Sequence, residues 1–313
     1  MSFQFLDVSH LPISKAVFET RKKIFEQNQG SKQQAKTSKW STSLDNVFKI
    51  DFLNAKPFPF PQVADSPNID FANLKLEGVQ RAEGGTEGLF FVSTTDGVMI
   101  VKRSFNIASE ILAGRLAHTL GIYSPKVYPL DLYSSGGEAL YNSMTAVEKT
   151  GRVTTTFISQ KHVLIMEFLR GITLNLLDHT QAAEIFADTT LLTHIGSLMA
   201  LDVLTNNSDR LPLIWSNQGN LSNVMITEQN LIVSIDAKIV PIAKSNTAIY
   251  GNYMRKLEQT VKALLLNDQV ETSAFRYIRD VISAATGYDM ASEGTLAMQK
   301  GFKETTLKAL SLD

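Results

Sequence analysis

Cysteine is absent from all 313 residues. That excludes disulfides, thiolate-bound metals and cysteine nucleophiles together. No run of 18 consecutive apolar residues occurs, so the sequence offers no simple transmembrane helix. The opening stretch, MSFQFLDVSHLPISK, carries Asp7 where a signal peptide would run apolar, and a cytoplasmic protein is expected. A strong charge of either sign is also missing. With a formal net charge of −1, the overall balance gives no reason to expect nucleic acid or an anionic membrane as partner. What is present is 44% hydrophobic and 19% charged residues, a balance that suits a well-buried globular core. The length allows two moderate domains or one bilobal domain.

Residues 13–28, ISKAVFETRKKIFEQN, have the spacing of a short amphipathic helix. A Gln/Ser/Lys-rich stretch follows, and then AKPFPFPQVADSP, whose prolines enforce extended chain. Residues 1–72 therefore read as an arm wrapping a later domain, with the prolines packed as a strap, or else as a disordered linker. From residue 73 the pattern changes. KLEGVQRAEGGTEGLFFVSTTDGVMIVKRSF reads as strand, glycine turn, strand, Asp96-Gly97 hairpin turn and strand. NIASEILAGRLAHTLGI has helical spacing, with Asn106 as N-cap and Gly121 at the end. SPKVYPLDLYS and KHVLIMEFLRG read as further strands, so an antiparallel sheet with one helix is expected over about 73–169. AAEIFADTTLLTHIGSLMALDVLTN predicts one long buried helix, with Leu191, Leu192, Ile195, Leu198 and Met199 on a stripe. The final 65 residues or so are again helical in pattern. Strands followed by helices, with a hinge near 167–172, give an α+β, two-lobed layout whose second lobe spans 170–313.

Several residues carry chemistry in that layout. EGGTEG contains Gly84, Gly85 and Gly88 between two strands, where backbone amides can approach phosphates, although most such turns are plain hairpins. It is neither Walker A nor G-x-G-x-x-G. Lys102 closes the strand GVMIVK, the place where protein kinases put the lysine that reaches ATP phosphates. A lysine at a strand end is more often a solvated surface group. Glu110, on the following helix, can orient it or lie on the surface. Met166 to Leu169 occupy the position of a linker, so the backbone of Glu167 and Leu169 is expected to bind an adenine edge.

The stretch from Leu204 to Lys238 then places Asp209 in a loop, Asn223 at the start of one apolar strand and Asp236 at the end of the next. Burying such groups is costly unless they are paired, hydrogen-bonded or bound to metal. Phosphoryl transfer needs a carboxylate for the acceptor hydroxyl and oxygen ligands for Mg²⁺. Asp209 suits the first task, Asn223 and Asp236 the second. In the ordinary kinase motif H-R-D-L-x-x-x-N the Asn follows much sooner, whereas Asn223 lies fourteen residues after Asp209. The insertion LPLIWSNQG leaves Asn217 and Asn220 as rival ligands. Asn223 is preferred because the apolar VMI behind it makes a strand.

There is no H-R-D and no D-F-G. DVLTNNSDRLP and NLIVSIDAKIVP instead resemble the atypical, phosphoinositide-kinase-like branch of the protein-kinase-like superfamily, and in particular the actin-fragmin kinase catalytic domains. The resemblance covers about 75–310. It implies a protein-kinase-like fold and an ATP- and Mg²⁺-dependent Ser/Thr protein kinase acting on threonine of actin in an actin–fragmin complex. By the same resemblance Lys102 contacts the phosphates, Glu110 holds Lys102, Asp209 is the base or hydroxyl positioner, and Asn223 and Asp236 bind Mg²⁺. The family also implies kelch repeats beyond the kinase domain. None is visible, so the chain is expected to be a catalytic fragment, and a monomer. The rival readings are a phosphoinositide or other small-molecule kinase, transfer of AMP instead of phosphate, and an inactive kinase-like module that binds the actin complex.

Overall fold

A computed structural model describes residues 50, 52, 54–60, 69–82, 88–215, 217–266 and 270–312. The helix expected over 13–28, residues 61–67 of the proline stretch, and Gly84 and Gly85 lie outside the described residues.

The first three strands are β1 (Leu76–Arg81), β2 (Leu89–Thr94) and β3 (Gly97–Lys102). Helix α1 (Ile107–Leu120) follows, and then β4 (Val127–Asp131) and β5 (His162–Glu167). They form one antiparallel sheet in the order β1-β2-β3-β5-β4. Asn106 stands at the N-cap of α1 without a side-chain cap bond, and Gly121 ends the helix in the left-handed conformation at φ 81°. Two helices unmarked in the sequence reading lie between β4 and β5: α2 (Ser135–Val147) and α3 (Arg152–Phe157). The single helix expected there is corrected to three. SSGGEAL reads as a turn because of its glycines. Ser134 in fact caps α2 by accepting from Gly137 N at 3.1 Å, and a Cβ on Gly137 would meet the Asp131 carbonyl.

Strand alternation gives the sheet two different faces. Phe90, Val92, Met99, Val101, Val163 and Ile165 point to one of them and form a core with Leu140 and Met144 of α2 and Val153 and Phe157 of α3. The register Gln80↔Phe91↔Ile100↔Met166 places those four residues on the opposite face, which Lys102 shares. Pro57 of the arm is bridged in parallel to Val98, and Phe58 and Phe60 enter the same core.

After a short strand β6 (Gly171–Thr173), which the sequence reading did not mark, the chain is mainly helical. The long helix expected from residue 182 is two: α4 (His179–Phe186) and α5 (Thr189–Thr205). They are split where Asp188 caps α5 by accepting from Thr190 N at 2.7 Å. Nor is α5 striped. Buried residues run all round it, as suits a central helix packed on every side. β7 (Val224–Thr227) pairs with β6 on one side and with β8 (Ile232–Ser234) on the other in a small antiparallel sheet. Three helices close the chain: α6 (Thr247–Leu266), α7 (Ser273–Thr286) and α8 (Ser292–Leu310). α5 and α8 cross closely through Gly196 and Gly301. Their core also takes in Ala117, Leu120 and Ile122 at the end of α1. Ser234 N donates to the Tyr123 carbonyl at 3.0 Å, tying β8 to the stretch just after α1. The result is an α+β chain with two hydrophobic cores among the described residues.

Candidate active site

Two carboxylates meet at Lys102, one eight residues on and one 134 residues on. Its Nζ lies 2.8 Å from Glu110 Oε2, with both side chains about nine-tenths buried (8% and 9% exposed), and it also donates to Asp236 Oδ1. Lys102 ends β3, Glu110 stands in the first turn of α1, and Asp236 follows β8. Burial disfavours the ammonium, but the two carboxylates outweigh it and hold the Lys102 pKa above the ordinary lysine value. For Glu110 burial prevails over the lysine and pushes the carboxyl up. Asp236 also feels burial, yet Lys102 dominates and holds it below the usual carboxylate range. Its side chain is 46% exposed, so one edge is open to solvent. Asp236 has φ 54°, a left-handed conformation unusual for a residue with a side chain.

The Asp209 loop is held from below. Asn206 ends α5 in the left-handed conformation, and Asn207 Oδ1 accepts from Asp209 N at 3.3 Å. Arg210, the next residue, is fully buried. It lies 3.2 Å from Asp202 Oδ1 on α5 and donates to Ser234 Oγ on β8 at 2.6 Å. Burial pushes the Asp202 carboxyl up to about 7, against the pull of Arg210 and a hydrogen bond from Asn207. The loop is thus pinned to both the long helix and the strand that delivers Asp236.

Asn223 Nδ2 donates to the Asp209 carbonyl at 3.0 Å and to Asp209 Oδ2 at 3.3 Å, leaving its Oδ1 as the atom able to meet a cation. Ile235 N donates to the Asn223 carbonyl at 3.2 Å, which sets Asn223 beside the approach to Asp236. The rival asparagines serve the loop itself: Asn217 Nδ2 donates to the Ser208 carbonyl at 2.6 Å, and Asn220 Oδ1 accepts from Ser222 N at 3.2 Å. Among the described residues no three His, Asp or Glu side chains gather as a metal cluster. One carboxylate and one carboxamide nevertheless fit Mg²⁺, which commonly takes few protein ligands and completes its shell with water and phosphate.

Elsewhere the predicted residues are less tightly drawn in. Gly88 has φ 84°, and a Cβ there would meet Thr156 Cγ2 at 2.6 Å. Glu167 pairs its backbone N–H with the Lys126 carbonyl and accepts from Lys126 N on its side chain at 3.1 Å. Leu169 is half-buried just beyond β5.

A family model for the actin-fragmin kinase catalytic domain matches residues 50–305. The chain belongs to that family. A provisionally named actin-fragmin kinase of Dictyostelium discoideum is 25% identical over 263 residues, which is 75% of this chain and 62% of that protein. The chain therefore spans less than two thirds of the curated relative it matches. The crystal structure of the golgi casein kinase is similar over 77% of this chain and 74% of its own, at 12% identity and a TM-score of 0.31, too loose a superposition to relate residues. Membership makes the chain a kinase-type catalytic domain. No described helix is long and apolar enough to cross a membrane.

The sequence reading missed a charge beside Asp209. Lys238 Nζ lies 3.3 Å from Asp209 Oδ2 with both side chains about two-fifths exposed, so Asp209 is paired with an ammonium. The signal was present in IDAK, where Lys238 falls two residues past Asp236. Nothing in the pattern shows that the chain folds back onto Asp209. Asp202 and Arg210 were missed for a similar reason, being charges within an otherwise apolar helix and its loop.

Proposed function

We propose that this domain transfers the γ-phosphate of ATP to a serine or threonine hydroxyl of a protein, with Mg²⁺, and that the acceptor is threonine on actin in an actin–fragmin complex. The convergence of Lys102, Glu110 and Asp236 from segments up to 134 residues apart carries the reading. The family and its Dictyostelium relative supply the substrate class. Phosphoryl transfer asks the protein mainly for positioning and charge stabilisation. Lys102, oriented by Glu110, offers its ammonium to the phosphate oxygens. Asp236 and the Asn223 carboxamide oxygen would hold Mg²⁺, which when bound neutralises phosphate charge. Asp209, fixed by Asn207 and Asn223, accepts the proton that leaves the acceptor hydroxyl as its oxygen bonds to phosphorus and the bond to ADP breaks. Lys238, beside Asp209, adds positive charge where the phosphoryl group crosses.

The test is incubation of the chain with γ-labelled ATP, Mg²⁺ and actin, free or capped by a fragmin-type severing protein, beside phosphoinositide vesicles and α-labelled ATP. Label on actin is expected with wild type. Asp209→Asn should abolish it while ATP still binds, and Asp236→Ala should lose Mg²⁺-dependent nucleotide binding by calorimetry. Label only on lipid, or transfer of the α-label, would replace the protein-kinase reading. Near-normal turnover by Asp209→Asn would remove that residue from the mechanism.

A further inference from the structure

The face of the first sheet that carries Lys102 is not bare. Ile50 N donates to Gln80 Oε1 at 3.4 Å, and the Phe52 ring meets Phe91 edge-on with centroids 4.7 Å apart. Phe52 also lies 6.0 Å from Phe168, the residue between Glu167 and Leu169, and Phe168 lies 6.0 Å from Phe91 at 90°. Gln80 and Phe91 belong to the row Gln80–Phe91–Ile100–Met166, and Ile100 stands two residues before Lys102 on the same side of β3. The arm therefore brings a third aromatic ring to the lysine-bearing face of the sheet, beside Phe91 and Phe168.

This placement is built into the lobe. Val98 N donates to the Lys56 carbonyl at 2.7 Å, and Phe58 N donates to the Val98 carbonyl at 2.8 Å. Phe58 and Phe60 are buried in the core on the far face, with Phe60 stacked on Tyr128 at 5.5 Å. Phe52 thus lies four residues before the bonded Lys56, with its ring against Phe91 and near Phe168. An apolar ring beside a strip of Phe91, Ile100 and Met166 suits a flat heteroaromatic ring.

We infer that Phe52, from the arm that precedes the sheet, is a binding and specificity residue that joins Phe91 and Phe168 in an aromatic wall for the purine of the nucleotide. This rests on the proposed use of ATP. It adds that residues outside the strands and helices of the lobe make part of the base site, while Lys102 and its partners serve only the phosphates.

The test uses the full chain and equilibrium titration with a non-hydrolysable ATP analogue and with tripolyphosphate, which has the charges without the base. Phe52→Ala should bind the analogue about tenfold more weakly, a typical loss for one base–aromatic contact. Tripolyphosphate affinity should not change, and Phe52→Trp should restore the analogue. An unfolding midpoint taken alongside separates binding from folding, and Phe52→Leu, which keeps apolar volume, should fall between Phe and Ala. Unchanged analogue affinity in Phe52→Ala would overturn the inference, as would tighter binding, which would make Phe52 an obstruction. Equal loss for both ligands would reduce it to a packing residue. If the intact chain bound no nucleotide, the proposed function would fall and this inference with it; binding by wild type with Phe52→Ala unaffected would remove the inference alone.

Discussion

Replacing Lys102 by Met takes one cation away from two carboxylates. Asp236 is half exposed and water can screen it, so its loss is small. Glu110 has no such outlet. Its side chain is 9% exposed, and burial already pushes it toward the neutral form with the lysine in place. Breaking a buried pair by removing one partner costs about 3–5 kcal/mol. A ceiling comes from the carboxyl's escape route: protonating a group of ordinary pKa near 4.3 at pH 7.5 costs about 4 kcal/mol. Lys102→Met should therefore destabilise the chain by about 3–4 kcal/mol. Adding Glu110→Gln keeps an acceptor for Ser104 and removes the stranded charge, so the double variant should recover about 2 kcal/mol. Urea unfolding at pH 7.5 measures this, with an unchanged slope confirming that the same surface is exposed. A double variant as unstable as the single one would refute the argument, because Glu110 would then not be the charge that suffers.

Two further outcomes follow from the packing. A Cβ on Gly301 would lie 1.8 Å from the Thr193 carbonyl oxygen, so Gly301→Ala must force α8 away from α5; a loss of about 3 kcal/mol, or roughly 6–10 °C in thermal midpoint, is expected, and a shift within error would show that the helices separate freely. Arg210→Leu should open a stability gap to wild type that widens as pH rises through 7. The folded Asp202 pKa of about 7 lies above its unfolded value, so its contribution is complete below about pH 4 and is lost as pH rises through 7. Removing Arg210 raises that pKa further. A gap of constant size from pH 5 to 9 by chemical denaturation would contradict this.

Much of the architecture was legible because it is local. Lys102 is recognisable because a six-residue strand ends there, and Asp236 because a three-residue apolar strand precedes it. The β2–β3 hairpin was legible too, but its turn lies one residue earlier than Asp96-Gly97: Thr95 and Asp96 make the loop, and Gly97 already pairs with Thr94 as the first residue of β3. The failures share a different cause. α2 opens on Gly136 and Gly137, residues of low helix propensity, and Gly137 is there because a side chain has no room against the Asp131 backbone. α5 reads as striped because Leu191, Leu192, Ile195, Leu198 and Met199 recur at helical spacing, whereas the polar Asp202 and Thr205 are buried as well. Asp202 is fully buried on Arg210, and Thr205 returns its hydroxyl to the Leu201 carbonyl. Lys238 and Phe52 bear on the site only through partners far away in sequence. No periodicity encodes such pairs.

Asp236 shows where local pattern stops and the site begins. Continued alternation past β8 would give residue 236 the side of Ser234, whose hydroxyl is buried on Arg210. The backbone turns instead at φ 54°, a conformation that costs most non-glycine residues about 1–2 kcal/mol and an aspartate less. Such a cost persists only where neighbours over-determine the geometry. Here Ile235 N is bound to the Asn223 carbonyl on one side of Asp236, and the carboxylate is bound to Lys102 beyond it. The turn carries the carboxylate out of the second core and toward Lys102, beside Asn223 and within reach of the first sheet. A strand that merely closed the small sheet would gain nothing from that turn. The left-handed aspartate is therefore the point at which folding gives up local stability to place a charge.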